Sequence, residues 1–255
     1  MPTDRGEFLG VGFDRLSMDQ VLERLSCEGC ERPFAYVVTP NVDHIVRLHE
    51  DRRSETELGS LYNGADLCLC DSKILHLLAR LRGVRLPVVP GSELTERMFE
   101  QVINGGDRIA LVGGDDELLR QLKRRYDNVE FVQYCPPMGL RSNATERRRA
   151  AQFVAEAKAR FIFLAVGSPQ QEMIAVEVKK IDGARGTALC IGASLDFLAG
   201  REKRAPRFLQ QAGLEWAHRL LINPRRMWRR YLLEGPRIFA LAYRWPGQST
   251  MGATE

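Results

Sequence analysis

No long apolar run is present in this sequence of 255 residues. The longest uninterrupted apolar stretches, such as residues 161–166 and 238–243, are far shorter than the roughly 20 residues that a bilayer-spanning helix needs. Residues 1–5 also lack the apolar centre of a signal peptide. We therefore expect a cytoplasmic protein that meets a membrane from one side only.

The cysteines and histidines do not have the spacing of a structural zinc site. Cys27 and Cys30 form one C-x-x-C pair, but no second pair follows at a suitable distance, and the four histidines do not supply one. Cys68 and Cys70 lie in an apolar run, where cysteine behaves as a small hydrophobic residue. This spacing therefore predicts neither a structural zinc site nor a redox dithiol.

The glycine pattern of a dinucleotide-binding loop is also incomplete. Gly10 and Gly12 begin a G-x-G-x-x-G motif, but Arg15 stands where the third glycine would be. This departure argues against an NAD-dependent oxidoreductase. We interpret the segment as a strand with a turn.

Basic charge is concentrated towards the end of the chain. Residues 201–245 contain 11 Lys and Arg against 3 Asp and Glu, whereas the remainder carries 26 against 30. All three tryptophans, Trp216, Trp228 and Trp245, lie in this segment. Such a segment favours an anionic surface or ligand: lipid headgroups, a diphosphate or nucleic acid. A solvated, arginine-rich helical face would have the same composition, and both interpretations stay open.

Strand and helix patterns alternate along the first 199 residues. Compact apolar strands are predicted at 34–38, 65–70, 107–112, 129–134, 160–166 and 187–191. The alternation predicts an α/β fold, with a Rossmann-like, mainly parallel sheet and helices on both faces. After residue 200 the pattern is helical only. We therefore predict a core over residues 1–199 and a C-terminal helical, membrane-associating appendage over 200–255.

Polar residues follow the first two predicted strands of this series, at the end where parallel sheets bind ligands. Thr39 and Asn41 come after 34–38, and each is open to two interpretations, as a ligand contact or as the cap of the following helix. Asp71 comes after 65–70 and is open to a similar choice, as a catalytic base or as a helix cap.

Glycines follow the strand predicted at 107–112. Gly113 and Gly114 would let the backbone approach a phosphate at a helix N-terminus. Asp115 and Asp116 come next; they would repel such a phosphate and complement the helix dipole themselves. Phosphate binding at this position is left open.

The last two strands are also followed by polar residues. Gly167 comes after 160–166, and Gln171 and Glu172 lie in the first turn of the next helix, where side chains can face a cleft. Asp196 follows the strand at 187–191. These residues complete the set of candidate substrate contacts.

Several motifs, in the same order, resemble those of the WecG/TagA/CpsF glycosyltransferases. The segment Gly167–Glu172 is similar to that family's Gly-x-Pro-x-Gln-Glu motif. The other similar segments are 39–41, 65–71, 197–206, 213–220 and 224–226. The resemblance extends from about residue 8 to residue 243.

This resemblance implies an inverting glycosyltransferase of cell-surface polysaccharide synthesis. It would move a sugar of the N-acetylmannosamine, N-acetylmannosaminuronic acid or glucose type from a UDP-sugar to a polyprenyl-diphosphate-linked sugar, at the inner face of the cell membrane and without a metal. Asp71 would be the general base. The site-lining residues would be Thr39, Asn41 and Gln171. The arginines facing the lipid diphosphate would be Arg204, Arg219, Arg226 and Arg229.

The sequence departs from the family pattern at two positions. Ser72 stands where the family has glycine after the catalytic aspartate, and the segment 88–91 lacks the arginine that often precedes Gly91, unless Arg85 replaces it. A non-catalytic nucleotide-sugar or peripheral membrane binding module is the alternative function. We expect no nucleic acid partner, and a homo-oligomer is compatible with an apolar appendage.

Overall fold

The computed structural model describes residues 4–27, 32–50, 52–201, 206, 209, 215–222 and 224–247. Its strands are β1 (Arg5–Phe8), β2 (Val11–Asp14), β3 (Ala35–Val38), β4 (Leu67–Cys68), β5 (Arg108–Gly113), β6 (Glu130–Tyr134), β7 (Phe161–Ala165) and β8 (Thr187–Cys190). The helices of the first part of the chain are α1 (Met18–Ser26), α2 (Val42–Leu48), α3 (Arg52–Asn63), α4 (Lys73–Leu81), α5 (Gly91–Gln101), α6 (Asp116–Arg125), α7 (Ala144–Ala157), α8 (Gln170–Lys179) and α9 (Ser194–Leu198). They are followed by α10 (Glu215–Ile222), α11 (Pro224–Trp228), a π-helical segment (Arg229–Glu234) and α12 (Arg237–Arg244).

In the described part of the chain, strands β3 to β8 form one sheet in the order β4-β3-β8-β7-β5-β6. Every neighbouring pair is parallel. Parallel neighbours need crossover connections, and helices supply them here. The predicted α/β fold with a Rossmann-like, mainly parallel sheet is therefore confirmed.

Alternate side chains of the strands enter two apolar layers. Val37 and Leu189 pack on one face, with residues of α1, α5, α6 and α9. Val38 and Cys190 pack on the other face, with residues of α2, α3, α4, α7 and α8. Because both faces are covered, the central strands are apolar along their whole length, which explains why the sequence pattern identified them.

One predicted strand is shorter than expected, and one helix was not predicted. The strand expected at 65–70 is reduced to β4, and beyond it Cys70 forms only an isolated parallel bridge with Val88. Helix α3 has a mostly polar sequence, but Leu58, Leu61 and Tyr62 form a buried face. Their helical spacing was the available signal.

The hairpin β1–β2 lies beside β4, an edge strand of the sheet, and is hydrogen-bonded to it. The turn between its strands contains Gly10, in agreement with the predicted strand and turn. Asp14 is buried at its end; one carboxylate oxygen accepts the backbone N–H of Cys68 at 2.6 Å, and the other accepts Arg5 Nε at 3.1 Å. The Asp14 carboxylate of the hairpin thus satisfies the backbone N–H of Cys68 in β4, which is the edge strand of the sheet.

Helix α12 packs on the same face of the sheet as α2 and α4. Ile238 and Ala242 are buried in that layer, and the Trp245 ring meets Phe8 edge-on at 5.1 Å between centroids. This end of the chain is therefore docked on the core, and the division at residue 200 stays a prediction. Among the described helices, none is both long and apolar enough to cross a membrane.

Candidate active site

The carboxyl ends of three adjacent strands, β4, β3 and β8, form the centre of the candidate site. Val38 of β3 pairs with Cys68 on one side and with Cys190 on the other. Beyond β4, the backbone N–H of Asp71 still donates to the carbonyl of Pro40 at 3.1 Å. Neighbouring strands are about 4.8 Å apart, so Asp71 lies one strand spacing from the 39–41 segment. The structure thus places Asp71 beside the segment that contains Thr39 and Asn41, and their roles in a substrate site stay predictions.

Asp71 does not cap the helix that follows it. The N-cap of α4 is Ser72, whose hydroxyl accepts the backbone N–H of Leu75 at 3.2 Å. The capping interpretation of Asp71 is therefore wrong. Asp71 is half-buried, and it continues the alternation of Leu67 and Leu69, whose side chains enter the layer that contains α5.

Thr39 lies against the N-terminus of α5 on that same face. It is 8% exposed, and a Cβ atom added to Gly91 would lie 2.8 Å from Thr39 Oγ1, so only glycine allows this approach. The N-cap residue of α5 is Pro90, which makes no side-chain cap hydrogen bond. Uncapped N–H groups and the helix dipole favour an anion at such a terminus.

Asn41 is a helix cap, as the sequence pattern favoured. Its side-chain oxygen accepts the backbone N–H groups of Asp43 at 3.1 Å and His44 at 3.4 Å. In return, His44 Nδ1 accepts the Asn41 N–H at 3.1 Å. The reciprocal pair fixes the start of α2, and a substrate contact by Asn41 stays a prediction.

Gln171 links the loop after β7 to the loop after β8. Its side-chain oxygen accepts the backbone N–H of Gly192 at 3.0 Å, and its side-chain nitrogen donates to Glu172 Oε1 at 2.9 Å. Gly192 is two residues beyond Cys190, the last residue of β8, which pairs with Val38 at the end of β3. Gln171 and Glu172 are both buried. Gly167 has φ +81°, and its carbonyl accepts the Gln171 N–H at 3.0 Å.

The carboxyl of Glu172 is enclosed by polar side chains of three segments. Burial is the largest influence and raises the pKa of Glu172, while the hydrogen bond from Gln171 and the nearby Ser168 and Arg47 act in the opposite direction. Among the described residues, Glu172 Oε2 has no hydrogen-bond partner. Tyr62 Oη lies 3.2 Å from Ser168 Oγ and extends this network to α3.

Gly113 and Gly114 have packing reasons for being glycine. Gly113 has φ +102°, and an added Cβ would lie 2.9 Å from the Ala165 carbonyl oxygen. Gly114 has φ +75°, and an added Cβ would lie 2.5 Å from a methyl group of Leu118. Gly113 is the last residue of β5 and Gly114 follows it, and β5 is separated from β8 by β7. A phosphate contact there stays a prediction.

Arg201 pairs with Asp115 in the loop after β5, and the sequence pattern did not predict this contact. Its guanidinium binds both Asp115 carboxylate oxygens, at 2.6 and 3.0 Å, and lies 3.6 Å from Asp196. These hydrogen bonds are the largest cause that lowers the pKa of Asp115, to about 2. Asp115 also caps α6 through the Leu118 N–H. The carboxylate that would repel a phosphate is therefore already paired.

The appendage arginines are only partly described. Arg204 and the side chains of Arg219 and Arg226 lie outside the described residues. Arg229 is exposed, and its Nε lies 3.5 Å from Glu234 Oε1. Their roles at a lipid diphosphate stay predictions.

In the described ranges, no group of three or more His, Cys, Asp and Glu side chains could hold a metal ion. Cys68 and Cys70 are buried, as predicted from their apolar surroundings. Burial is the main cause that raises the pKa of Cys70 to about 12. Such a thiol carries no reactive thiolate at neutral pH.

Comparisons with known proteins agree with the geometry. A family model described as "Glycosyl transferase WecG/TagA/CpsF family" matches residues 6–250. A Bacillus spizizenii protein named N-acetylglucosaminyldiphosphoundecaprenol N-acetyl-beta-D-mannosaminyltransferase is 28% identical over 203 residues, which cover 78% of this chain and 75% of that protein. A Staphylococcus aureus protein of the same name is 25% identical over 235 residues, which cover 89% of this chain and 88% of that protein. Because the family match spans nearly the whole chain, this protein belongs to the WecG/TagA/CpsF family and is a glycosyltransferase.

Proposed function

We propose that this glycosyltransferase moves a sugar from a UDP-sugar to a polyprenyl-diphosphate-linked sugar in the synthesis of a cell-surface polysaccharide. The observation that carries the proposal is the placement of Asp71, Thr39 and the Gln171–Gly192 contact on adjacent strand ends. The names of the two relatives support N-acetylmannosamine as the donor sugar and N-acetylglucosaminyldiphosphoundecaprenol as the acceptor to test first.

In the proposed reaction, Asp71 accepts the proton of an acceptor hydroxyl. The hydroxyl oxygen forms a bond to the anomeric carbon of the donor from the face opposite UDP. The bond between that carbon and the UDP oxygen breaks, UDP leaves with the electron pair, and the anomeric configuration is inverted. General-base assistance of this kind contributes roughly 10²- to 10⁴-fold to a rate.

The leaving diphosphate must be stabilised as its negative charge develops. The N-terminus of α5 beside Thr39, where Pro90 provides no side-chain cap, is suited to this, since backbone N–H groups and the helix dipole favour anions. In the proposal, the appendage arginines Arg204, Arg219, Arg226 and Arg229 bind the diphosphate of the acceptor, because guanidinium groups match phosphate oxygens with paired donors.

We also propose that the enzyme works at the inner face of the cell membrane. The acceptor that we propose is held in the bilayer by its polyprenyl chain. None of the described helices could span the bilayer, so in the proposal this part of the chain reaches the acceptor from the membrane surface. The basic and aromatic composition of residues 201–245 supports such an approach.

The test is acceptor-dependent release of UDP from a panel of UDP-sugars. For the preferred donor, Asp71→Asn is expected to lower turnover by about 10²- to 10⁴-fold. The matched control is Asp127→Asn, because Asp127 is an exposed carboxylate between α6 and β6, at the opposite edge of the sheet. Full turnover in Asp71→Asn would rule out Asp71 as the base.

UDP binding, measured by calorimetry, separates the remaining alternatives. A protein that binds UDP but releases none from any donor, with or without acceptor, would be a nucleotide-sugar binding module. Inversion is checked by the NMR coupling constant of the product's new anomeric proton, and retention of configuration would contradict the direct displacement.

A further inference from the structure

The Gln171 amide joins two loops at the carboxyl ends of the sheet, and it can do so in one orientation only. The backbone N–H of Gly192 is a donor, so the amide has to present its oxygen there, which it does at 3.0 Å. The amide nitrogen then points away from Gly192 and needs an acceptor of its own. An amide turned the other way would set two donors against each other.

Glu172 supplies that acceptor. Its Oε1 accepts the Gln171 side-chain N–H at 2.9 Å, and the residue is only 2% exposed. A carboxyl keeps an accepting oxygen in both protonation states, so the bond does not depend on whether Oε2 carries a proton. Without Glu172 the buried amide nitrogen would lose its partner, and an unsatisfied buried donor is costly.

The segment that carries both residues is held by two helices of the same layer. Arg47 of α2 donates to the Ser168 carbonyl at 3.1 Å, and Tyr62 Oη of α3 lies 3.2 Å from Ser168 Oγ. Gln171 and Glu172 follow in the first turn of α8. The Glu172 carboxyl is therefore fixed by its surroundings, and it can determine the orientation of the neighbouring amide.

The contact at Gly192 fixes the start of the loop after β8. Gly192 lies between the end of β8 and the start of α9, the helix that carries the candidate substrate contact Asp196. Strand β8 also pairs with β3, which ends directly before Thr39. A change in the orientation of the Gln171 amide would therefore release a loop that belongs to the candidate site.

A direct substrate contact by Glu172 fits the structure less well. Glu172 Oε2 is buried, and among the described residues it has no hydrogen-bond partner. A carboxyl that solvent does not reach could contact a sugar or a diphosphate only after movement of the chain around it. An ionised carboxylate would, in addition, repel a diphosphate.

We propose that Glu172 is a positioning residue for Gln171, which holds the Gln171 amide in the orientation that keeps Gly192 and the loop after β8 in place. The inference deepens the proposed function and rests on it, since Gln171 is a candidate residue of the site for the proposed transfer. Glu172 then acts on the reaction only through its neighbour.

Two variants of Glu172 separate the accepting oxygen from the size of the side chain. Glutamine keeps an oxygen that can accept the Gln171 N–H, whereas methionine has a similar length and only a weakly accepting sulfur. In the full chain, exchange of the Gly192 backbone amide, followed by NMR, should be as in wild type for Glu172→Gln. It should be about tenfold faster for Glu172→Met.

The matched control is Glu177→Met, at the other end of α8. Glu177 Oε2 also has no partner in the described part of the chain, but Glu177 Oε1 accepts Arg147 Nε at 3.2 Å and makes no contact with Gln171. The control should lower stability because it breaks this ion pair. It should leave the exchange of the Gly192 amide relative to the rest of the sheet unchanged.

Acceptor-dependent release of UDP adds a readout that a purely structural role does not move. Glu172→Met is expected to lower kcat/KM about tenfold, and Gln171→Leu at least as much. The double variant Gln171→Leu/Glu172→Met should be no slower than Gln171→Leu alone, because a residue that acts through Gln171 has no effect once Gln171 is gone. Glu172→Gln should restore kcat/KM to near the wild-type value.

Three results would overturn the proposal. Additive losses in the double variant would mean that Glu172 acts on its own. Low kcat/KM in Glu172→Gln with wild-type exchange at Gly192 would mean that the carboxyl itself contacts a substrate. Wild-type exchange at Gly192 in Glu172→Met would mean that the carboxyl does not position the loop. A Glu172→Met chain that does not fold would leave the decision to Glu172→Gln, for which faster exchange at Gly192 would count against the proposal.

The exchange experiment uses no substrate, so its outcome is independent of the proposed transfer reaction. No release of UDP from any donor by the wild-type protein would contradict the proposed function alone. Exchange at Gly192 in the two Glu172 variants would still decide whether Glu172 orients Gln171.

Discussion

Glu172→Gln is expected to remove a pH dependence from the stability of the fold. The Glu172 carboxyl is buried, and burial raises its pKa above that of the unfolded chain, which is about 4.3. Below that value both states are protonated, and the folded state loses nothing. As the pH rises, the unfolded chain releases its proton first, so wild-type stability falls until the pH passes the folded-state pKa.

The size of this effect follows from proton linkage. Within the window that starts near pH 4.3, one proton held only by the folded state changes the free energy of unfolding by at most about 1.4 kcal/mol per pH unit. The glutamine variant has the same shape and can still accept the Gln171 side-chain N–H, which Glu172 Oε1 now accepts at 2.9 Å. It carries no titrating proton, so its stability relative to wild type should rise steadily through the window.

At low pH the two proteins should have nearly the same free energy of unfolding. Glu172 Oε2 has no hydrogen-bond partner in the described part of the chain, and the corresponding amide group of a glutamine would also lack one. An unsatisfied buried polar group costs about 1–3 kcal/mol, but this penalty applies to both proteins and largely cancels. The two should therefore be close in stability near pH 4.5 and diverge above it.

The measurement is urea denaturation of both proteins between pH 4.5 and 7.5, with the free energy of unfolding obtained at each pH. Glu156→Gln is the matched control, because Glu156 is an exposed carboxylate whose only described side-chain partner is Gln152, at 2.7 Å. A free-energy difference between Glu172→Gln and wild type that does not change with pH over this range would refute the reasoning, because a raised folded-state pKa has to change this difference with pH.

Two further substitutions test contacts between distant residues. Arg82 donates to the carbonyls of Ala242 and Tyr243 at the end of α12 and of Trp245 just beyond it. Arg82→Ala removes this donor, so we expect a loss of about 1–3 kcal/mol in urea denaturation and faster amide exchange over residues 237–244. Arg124→Ala, which alters an exposed arginine of α6, should show neither change. Gly91→Ala places a Cβ 2.8 Å from Thr39 Oγ1 and should weaken UDP binding in calorimetry. The control is Gly106→Ala, at a glycine with φ +88° and open space around it. This control should lower stability without weakening UDP binding. Equal UDP affinity in both glycine variants would contradict a diphosphate position at α5.

The sheet and its strand ends were predictable because they follow from local patterns. Apolar runs of five or six residues identified β5 and β7. Polar residues after the strands identified Thr39, Asp71 and Gln171 as residues at the carboxyl ends of the sheet, where parallel sheets bind ligands. The choice between a cap and a ligand contact was not predictable at Asp71. It depended on which of two consecutive residues, Asp71 or Ser72, has a side chain that reaches the Leu75 N–H.

Contacts between distant parts of the chain were beyond the sequence patterns. Arg201 pairs with Asp115 across 86 positions, and Arg82 reaches Ala242 across 160. In a sequence with 37 basic residues, neither arginine is marked by its neighbours. Helix α3 was missed for a related reason: its apolar side is narrow, and its burial depends on the core it packs against. The exposure of Leu77 and Leu81 likewise became visible only with the packing of α4.

The two departures from the family pattern have different physical consequences. Ser72 uses its hydroxyl to cap α4, and the Asp71 backbone is held by the Pro40 carbonyl at 3.1 Å, so the extra side chain leaves the candidate base in place. The segment 88–91, in contrast, brings no cation to the N-terminus of α5, where Gly91 meets Thr39. In the proposed reaction, a donor diphosphate at that point is stabilised by backbone N–H groups, whose partial charges do not titrate. That Arg85 replaces the missing arginine stays a prediction, and calorimetry of UDP binding to Arg85→Ala tests it: an unchanged affinity would leave the helix start as the binding group.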